Sequence, residues 1–192
     1  MNLYHLTLWQ IELTPWYIFV VVWIVAGLWV KTTKASEPLS SRLAYGSLMA
    51  AGFYLLFSRK PPFGLLGTRF ISDEHWVLIA AIVLTFAGTG LSIWARLILG
   101  ENWSAKVTRK VDHELIRSGP YAFVRHPIYS GLLLATIGTA IFVGEYRGLV
   151  AVPLVLLSES IKARREERFM IEEFGQTYQE YREQTWFIVP GF

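Results

Sequence analysis

The run Gly119-Pro120-Tyr121-Ala122-Phe123-Val124-Arg125-His126-Pro127-Ile128-Tyr129-Ser130-Gly131 places a histidine directly before a proline. Proline is favoured at the first position of a helix, so this spacing predicts a helix that begins at Pro127 with His126 at its cap. Such a terminus exposes unpaired N–H groups and a partial positive charge. With Arg125 and His126 beside it, it could receive a ligand's carboxylate or phosphate; it could equally be a capped helix start with no ligand. A second group, Glu159, Lys162, Glu166 and Phe169, falls on one face of a helix. Within it Glu159 reads either as a functional carboxyl that must reach into a membrane or as an interfacial partner of Lys162. The run Arg164-Arg165-Glu166-Glu167-Arg168 also has the reading of a solvated helical face.

Several chemistries drop out. There is no cysteine, which removes disulfides, thiolate metal sites and a thiol nucleophile. The 4 His are scattered without a close i, i+4 pair, so no metal is expected. No serine sits on a nucleophile elbow. A net charge of +3 is too mild to point to nucleic acid.

The elements that must hold these residues are apolar. Hydrophobic residues make up 53% of the 192 and charged residues 17%, against about 25% charged in an ordinary soluble domain. Uncharged runs cover Leu13–Val30, Leu43–Ser58, Trp76–Ala95, Pro127–Gly144 and Gly148–Ser158. A helix crosses the hydrocarbon with about 20 residues, so the third run spans outright and the first, second and fourth span with help from their flanks. The fifth is short and must continue through Glu159 and Ser160. Only Glu145-Tyr146-Arg147 separates it from the fourth, which predicts a tight antiparallel helical hairpin. From Leu149 to about Phe174 no glycine interrupts the chain, and Pro153 falls early, where a helix tolerates it. That predicts one long helix, apolar then charged, capped by Gly175. Met170, Phe174, Tyr178 and Tyr181 form a stripe expected against the membrane interface. Arg96 is expected to snorkel from the end of the third span.

Five spans put Lys31, Lys34, Arg42, Arg96, Lys106, Arg109, Lys110, Arg117, Arg125, Lys162, Arg164, Arg165, Arg168 and Arg182 on one side. Arg59, Lys60, Arg69 and Arg147 lie on the other. The asymmetry predicts an N-terminus outside and a C-terminus in the cytosol. The segment before Pro15 has no Lys or Arg, so no cleaved signal peptide is expected. Both polar segments, Gly100–His126 and Glu159–Phe192, then meet at the cytosolic face.

Those segments resemble the isoprenylcysteine carboxyl methyltransferases. The resemblance lies in Leu99-Gly100-Glu101-Asn102-Trp103-Ser104, His113-x-Leu115, Gly119-Pro120-Tyr121, Arg125-His126-Pro127-x-Tyr129-x-Gly131, Glu166-Glu167 and Phe174-Gly175-x-x-Tyr178-x-x-Tyr181. It covers about Leu99–Pro190. It implies an integral membrane enzyme using S-adenosylmethionine. Carried over, Lys106, His113, Glu114, Leu115, Ile116, Tyr121, His126, Pro127, Ile128, Tyr129 and Glu166 would line the cofactor pocket. Lys162, Glu167 and Arg125 make up the candidate catalytic set. The family often has an arginine for the substrate carboxylate where this chain has Lys162, which keeps the charge but loses the bidentate fork.

The expected architecture is an all-α, five-helix membrane protein in one domain. Residues 1–60 supply two N-terminal spans. Residues 76–192 supply a core of three spans, with the cofactor pocket between the loop before the fourth helix and the extension of the fifth. The expected activity is methyl transfer to a lipid-like acceptor arriving from the bilayer, a prenylcysteine-like carboxylate first. Competing readings are a phospholipid amine methyltransferase, an NADPH-dependent sterol-type reductase and a non-catalytic membrane partner.

Overall fold

The structure is a computed structural model and describes residues 3–29, 33–36, 38–58, 64–103, 108–110 and 115–191. Six helices dominate it: α1 (Leu3–Ala26), α2 (Leu39–Phe57), α3 (His75–Leu99), α4 (Pro127–Val143), α5 (Tyr146–Phe174) and α6 (Gln176–Glu183). One short antiparallel ribbon joins β1 (Thr33–Ser36) to β2 (Thr108–Lys110). Each uncharged run lies mostly within a long helix, although α1 ends at Ala26, before the first run does. α4 starts at Pro127, and α5 runs unbroken to Gly175, which takes the left-handed φ of 54° that ends it.

Two stretches, Leu6–Ala26 and His75–Asn102, are long and apolar enough to cross a membrane; Pro127–Val143 is apolar but shorter. Large apolar side chains stand exposed around the outside: Val21 and Ile24 on α1, Leu43 on α2, Trp76 and Val83 on α3, Leu149 and Leu157 on α5. Water would penalise such a surface and a bilayer would cover it.

The first helix begins well before Leu13 and so carries Glu12 inside it. The fold admits this because Glu12 is fully buried and accepts hydrogen bonds from Thr85 of α3 (2.8 Å) and Thr139 of α4 (2.7 Å). Trp16 donates to the same Thr139 hydroxyl at 2.9 Å. One acidic residue thereby ties three helices.

α3 and α4 touch backbone to backbone. A Cβ on Gly88 would lie 2.3 Å from the Ala135 nitrogen, and one on Gly138 would lie 2.5 Å from Thr85 Oγ1. In lipid, where apolar side chains gain nothing by leaving the solvent, small residues that permit this approach are what holds helices together.

Helix C-termini leave carbonyls unpaired, and arginines satisfy three of these ends. Arg69 donates to Val143 O (3.0 Å) at the end of α4, and Arg147 donates to Leu55 O (2.9 Å) and to Ser58 O at the end of α2. Arg96 donates to Ala26 O (2.5 Å) at the end of α1 and to Gly100 O (2.8 Å), with its guanidinium 4.3 Å from the Trp103 ring. The expectation that Arg96 snorkels is therefore corrected. It is 1% exposed and turned inward, because unsatisfied carbonyls lie closer than water.

These contacts also sort the ends of the helices. α1 and α3 run the same way, since Leu8 packs with Leu78 and Ala26 meets Arg96. The β1–β2 ribbon joins the α1–α2 connection to the α3–α4 connection at one end. At the other end, Phe70 N–H donates to Gly144 O (2.8 Å), and Arg147 pairs with Glu145 at 2.7 Å.

Candidate active site

His126 is the hinge of the site. It caps α4, is 8% exposed, and faces α5. Its Nδ1 lies 3.6 Å from Glu166 Oε2 and its Nε2 lies 3.6 Å from Glu167 Oε1. Consecutive residues of a helix point about 100° apart, yet both carboxylates of the Glu-Glu pair reach one imidazole, one at each ring nitrogen.

Around Glu166, Tyr129 donates its hydroxyl to Oε1 at 2.6 Å, and Lys162 Nζ stands 4.0 Å away, one helical turn back. The Tyr129 ring stacks on His126, with centroids 5.5 Å apart. Lys162 lies 5.5 Å from the Tyr129 ring and 5.9 Å from the Tyr45 ring of α2. Glu166 keeps about a quarter of its side chain open, at 23%, while Glu167 keeps 8%.

Glu167 belongs to a different set of contacts. Arg125 Nε donates to its Oε1 at 2.6 Å, and Arg182 of α6 approaches its Oε2 at 3.5 Å. Arg125 also donates to the carbonyls of Arg182 (3.0 Å) and Thr185. The backbone finishes the joint: Arg125 N–H donates to Trp186 O (2.8 Å), His126 N–H to Phe187 O (3.2 Å), and Trp186 N–H to Phe123 O (3.0 Å). The C-terminal tail is thus stitched along residues 123–126, and Phe187 meets His126 edge to face, with centroids 5.3 Å apart.

This stitching changes how the start of α4 can be used. Tail carbonyls take the N–H groups of Arg125 and His126, while Tyr129 and Ser130 donate to His126 O. Tyr178 and Tyr181, expected at the membrane interface, are instead 3% and 4% exposed, and Tyr181 donates its hydroxyl to Tyr121 O at 2.7 Å. They pack inward because α6 folds back onto the loop before α4.

Charge follows the geometry. Burial alone would lower the His126 pKa, but the two carboxylates outweigh it and hold the imidazole above its ordinary value. Burial raises both glutamates. For Glu166 the imidazole, Lys162 and the Tyr129 hydroxyl reverse that and bring it below the usual carboxylate range. For Glu167 the imidazole and Arg125 do the same. The cluster therefore presents ionised carboxylates at neutral pH.

Of the residues singled out from the sequence, the structure gathers Arg125, His126, Tyr129, Lys162, Glu166 and Glu167. Tyr121 is buried with its hydroxyl turned to Ala95 O at 3.4 Å, so its phenol serves the α3 contact. Pro127 is buried in the first turn of α4, and the Ile128 carbonyl accepts from Ser92 at 2.8 Å. Leu115 and Ile116 are half-buried on the approach to this loop. Lys106, His113 and Glu114 lie outside the described residues. Sequence reasoning missed Arg182 and Phe187. The 123–126 pairing that brings the tail in is non-local, and only the aromatic and basic content of the tail hinted at it.

The model of the isoprenylcysteine carboxyl methyltransferase family matches residues 79–172. That segment, just under half of the chain, is similar to this family. It holds α4, most of α3 and all of the α5 face described above. The protein-S-isoprenylcysteine O-methyltransferase of Schizosaccharomyces pombe is 36% identical over 75 residues, covering 38% of this chain and 32% of its own. The Xenopus laevis enzyme of that name is 33% identical over 112 residues, covering 56% of this chain and 38% of its own. A solved structure of the eukaryotic intramembrane Ras methyltransferase, an isoprenylcysteine carboxyl methyltransferase, is 27% identical with a TM-score of 0.57. The match covers 77% of this chain and 52% of that one. The chain therefore spans between about a third and three fifths of the length of the curated relatives it matches. With a fold similar to that of this intramembrane enzyme and two long apolar helices, the chain is an integral membrane protein.

Proposed function

We propose that the chain is an S-adenosylmethionine-dependent methyltransferase that esterifies the carboxylate of an S-isoprenylcysteine. The observation that carries this is the Glu166 cluster set one turn from Lys162 on α5. The matched relatives are named for an isoprenylcysteine carried by a protein. The expectation of a free lipid-like molecule is corrected accordingly, and the acceptor we propose is protein-borne.

The residues fit the cofactor. Glu166 is ionised and partly open, and its Oε1 takes the Tyr129 hydroxyl while Oε2, among the described residues, faces His126 at 3.6 Å. A carboxylate so placed can accept from an ammonium group or from ribose hydroxyls. S-adenosylmethionine, when bound, supplies a methyl group already activated by its sulfonium. Glu166 and Tyr129 would hold it, with Leu115, Ile116, Lys106, His113 and Glu114 as further proposed lining. Glu167 and Arg125 hold His126 and the tail, which makes them positioning residues. Lys162 would meet the acceptor carboxylate. That group is a nucleophile without losing a proton, so the protein's work is alignment and exclusion of water. A cation at this position disfavours a protonated amine acceptor.

Methylation of N-acetyl-S-farnesylcysteine by the purified protein tests the reading. Lys162→Met should lower turnover roughly tenfold to a hundredfold, the range of a lost charge-assisted hydrogen bond, and leave S-adenosylhomocysteine affinity within about threefold. Lys162→Arg should retain or raise turnover. Methylation of phosphatidylethanolamine in preference to the carboxylate, or tight binding of NADPH with none of S-adenosylhomocysteine, would overturn it.

The proposed topology has five spans, α1 to α5, with the N-terminus outside and the site facing the cytosol. The shared end of the β1–β2 ribbon, the loop before α4 and the α5 extension support it, because that end holds most of the basic residues. Reporter fusions after Glu183 and in the Glu145–Arg147 turn should lie on opposite sides of the membrane. Finding them on the same side would exclude it.

A further inference from the structure

Glu159 is a carboxyl group that the reaction above does not use and that the surrounding fold does not satisfy. It is 1% exposed, and neither of its carboxyl oxygens accepts a hydrogen bond from the described residues. The hydroxyl of the preceding residue, Ser158, donates instead to Tyr45 O at 2.6 Å. Lys162 stands 4.0 Å from Glu166 and over the Tyr129 ring, and forms its ion pair there. Pairing with Lys162 thus does not account for Glu159, although Lys162 and Tyr129 are its electrostatic neighbours. Burying a carboxyl group without partners is costly, and within a membrane segment such a group is retained for a task.

Resting on the carboxyl methylation reading, we propose that Glu159 is a specificity residue that accepts a hydrogen bond from the N–H on the α-carbon of the acceptor. In an S-isoprenylcysteine the carboxyl carbon and the nitrogen share one carbon atom. A site for that head needs a cation for the carboxylate and a hydrogen-bond acceptor a few ångströms away for the nitrogen. Glu159 and Lys162 stand at i and i+3 of α5, where side chains are neighbours on one face, about 5–6 Å apart at Cβ. Glu166 lies one turn beyond Lys162 on the side of the proposed cofactor, so Glu159 falls on the side from which a prenyl chain would enter. In the transfer, the bond from sulfur to the methyl carbon breaks and a bond from that carbon to the carboxylate oxygen forms. The sulfur keeps the electron pair, and Glu159 neither gains nor loses a proton. Its contribution is to bind and orient the head. A site built to receive an N–H discriminates strongly against an analogue that lacks it, because the buried acceptor is then left unpaired.

The test compares two acceptors that differ in that group alone: N-acetyl-S-farnesylcysteine and 3-(farnesylthio)propionate. The wild-type protein in detergent or nanodiscs should show a kcat/KM roughly tenfold to a hundredfold higher for the first. Glu159→Leu should bring the ratio to within about threefold while S-adenosylhomocysteine still binds, and Glu159→Gln should retain part of the preference. A merely structural Glu159 would lower both rates alike and leave the ratio unchanged. The proposal is overturned if the wild-type protein methylates both acceptors equally or if Glu159→Leu keeps the full preference. If the wild-type protein methylates neither while binding S-adenosylhomocysteine, the carboxyl methylation reading itself fails and takes this proposal with it. Equal wild-type rates overturn the proposal even if a variant does not fold, and Glu159→Gln, the isosteric change, supplies the ratio where Glu159→Leu does not.

Discussion

Replacing Glu166 by Ala is expected to weaken S-adenosylhomocysteine binding roughly tenfold to a hundredfold while the helices stay assembled. The size follows from a charge-assisted hydrogen bond contributing about 1.5–3 kcal/mol. Retention of the fold follows from where Glu166 sits. It is the more open of the two glutamates at 23%, and its contacts are the Tyr129 hydroxyl, the His126 imidazole and Lys162, all within the cluster. None of them is a backbone tie to the tail. Its loss also frees the Tyr129 hydroxyl, so Glu166→Gln should recover less than half of the deficit: an amide accepts from that phenol but offers no charge. Glu173, exposed near the end of the same helix, provides the control, and Glu173→Ala should change affinity by less than about twofold. Isothermal titration of each variant with S-adenosylhomocysteine, beside a melting curve, reads both quantities. Equal small effects at the two positions would make the Glu-Glu run a solvated helical face after all.

How far the sequence carried this differs from one residue to the next. The α4 start at Pro127 and the α5 end at Gly175 were legible because each rests on a local rule, proline at the first helical position and glycine in a left-handed cap. The shared face of Lys162 and Glu166 was legible for the same reason: helical spacing alone implies it. Glu12 was not. An isolated acidic residue ends an uncharged run, and nothing local reveals that Thr85 and Thr139, far away in sequence, will meet its carboxyl. Arg96 misled in the same way, since its partner, the Ala26 carbonyl, is created only when α1 and α3 pack in parallel. Tyr178 and Tyr181 made an aromatic stripe that fits a membrane interface, yet α6 turns it against Tyr121. Composition reported that these groups were amphipathic; tertiary contact decided which surface they covered. The division of labour between adjacent Glu166 and Glu167 was likewise hidden. It depends on Arg125 and Arg182 reaching only the second of them.

That division leads to the other large expected effect, at Arg125. Its side chain is 11% exposed and that of Glu167 is 8%, with 2.6 Å between the charged atoms. Arg125→Ala would strand Glu167 beside Arg182, which is 41% exposed and 3.5 Å away, and beside His126 at 3.6 Å. Breaking a fully buried pair from one side costs about 3–5 kcal/mol, and the cost here falls below that because Arg182 and His126 still face Glu167. The tail also loses the guanidinium from the carbonyls of Arg182 and Thr185, but keeps the backbone bonds of residues 123–126 to Trp186 and Phe187. The expected result is therefore a tail that remains docked on average and opens far more often. The melting temperature should fall by several degrees, amide exchange at Trp186, position 125 and His126, whose N–H groups make the joint, should speed up, and cofactor affinity should fall indirectly as His126 loses its support. Arg125→Lys should land between, since it keeps the charge and loses the fork that serves Glu167 and the carbonyls together. The double variant Arg125→Met with Glu167→Leu separates the causes. Removing both charges should recover most of the melting temperature while exchange at Trp186 stays raised, because the guanidinium ties to the carbonyls of Arg182 and Thr185 are still missing. If Arg125→Ala instead leaves both the melting temperature and the exchange rates at wild-type values, Arg125 does not hold the tail, and its proposed positioning role falls with that result.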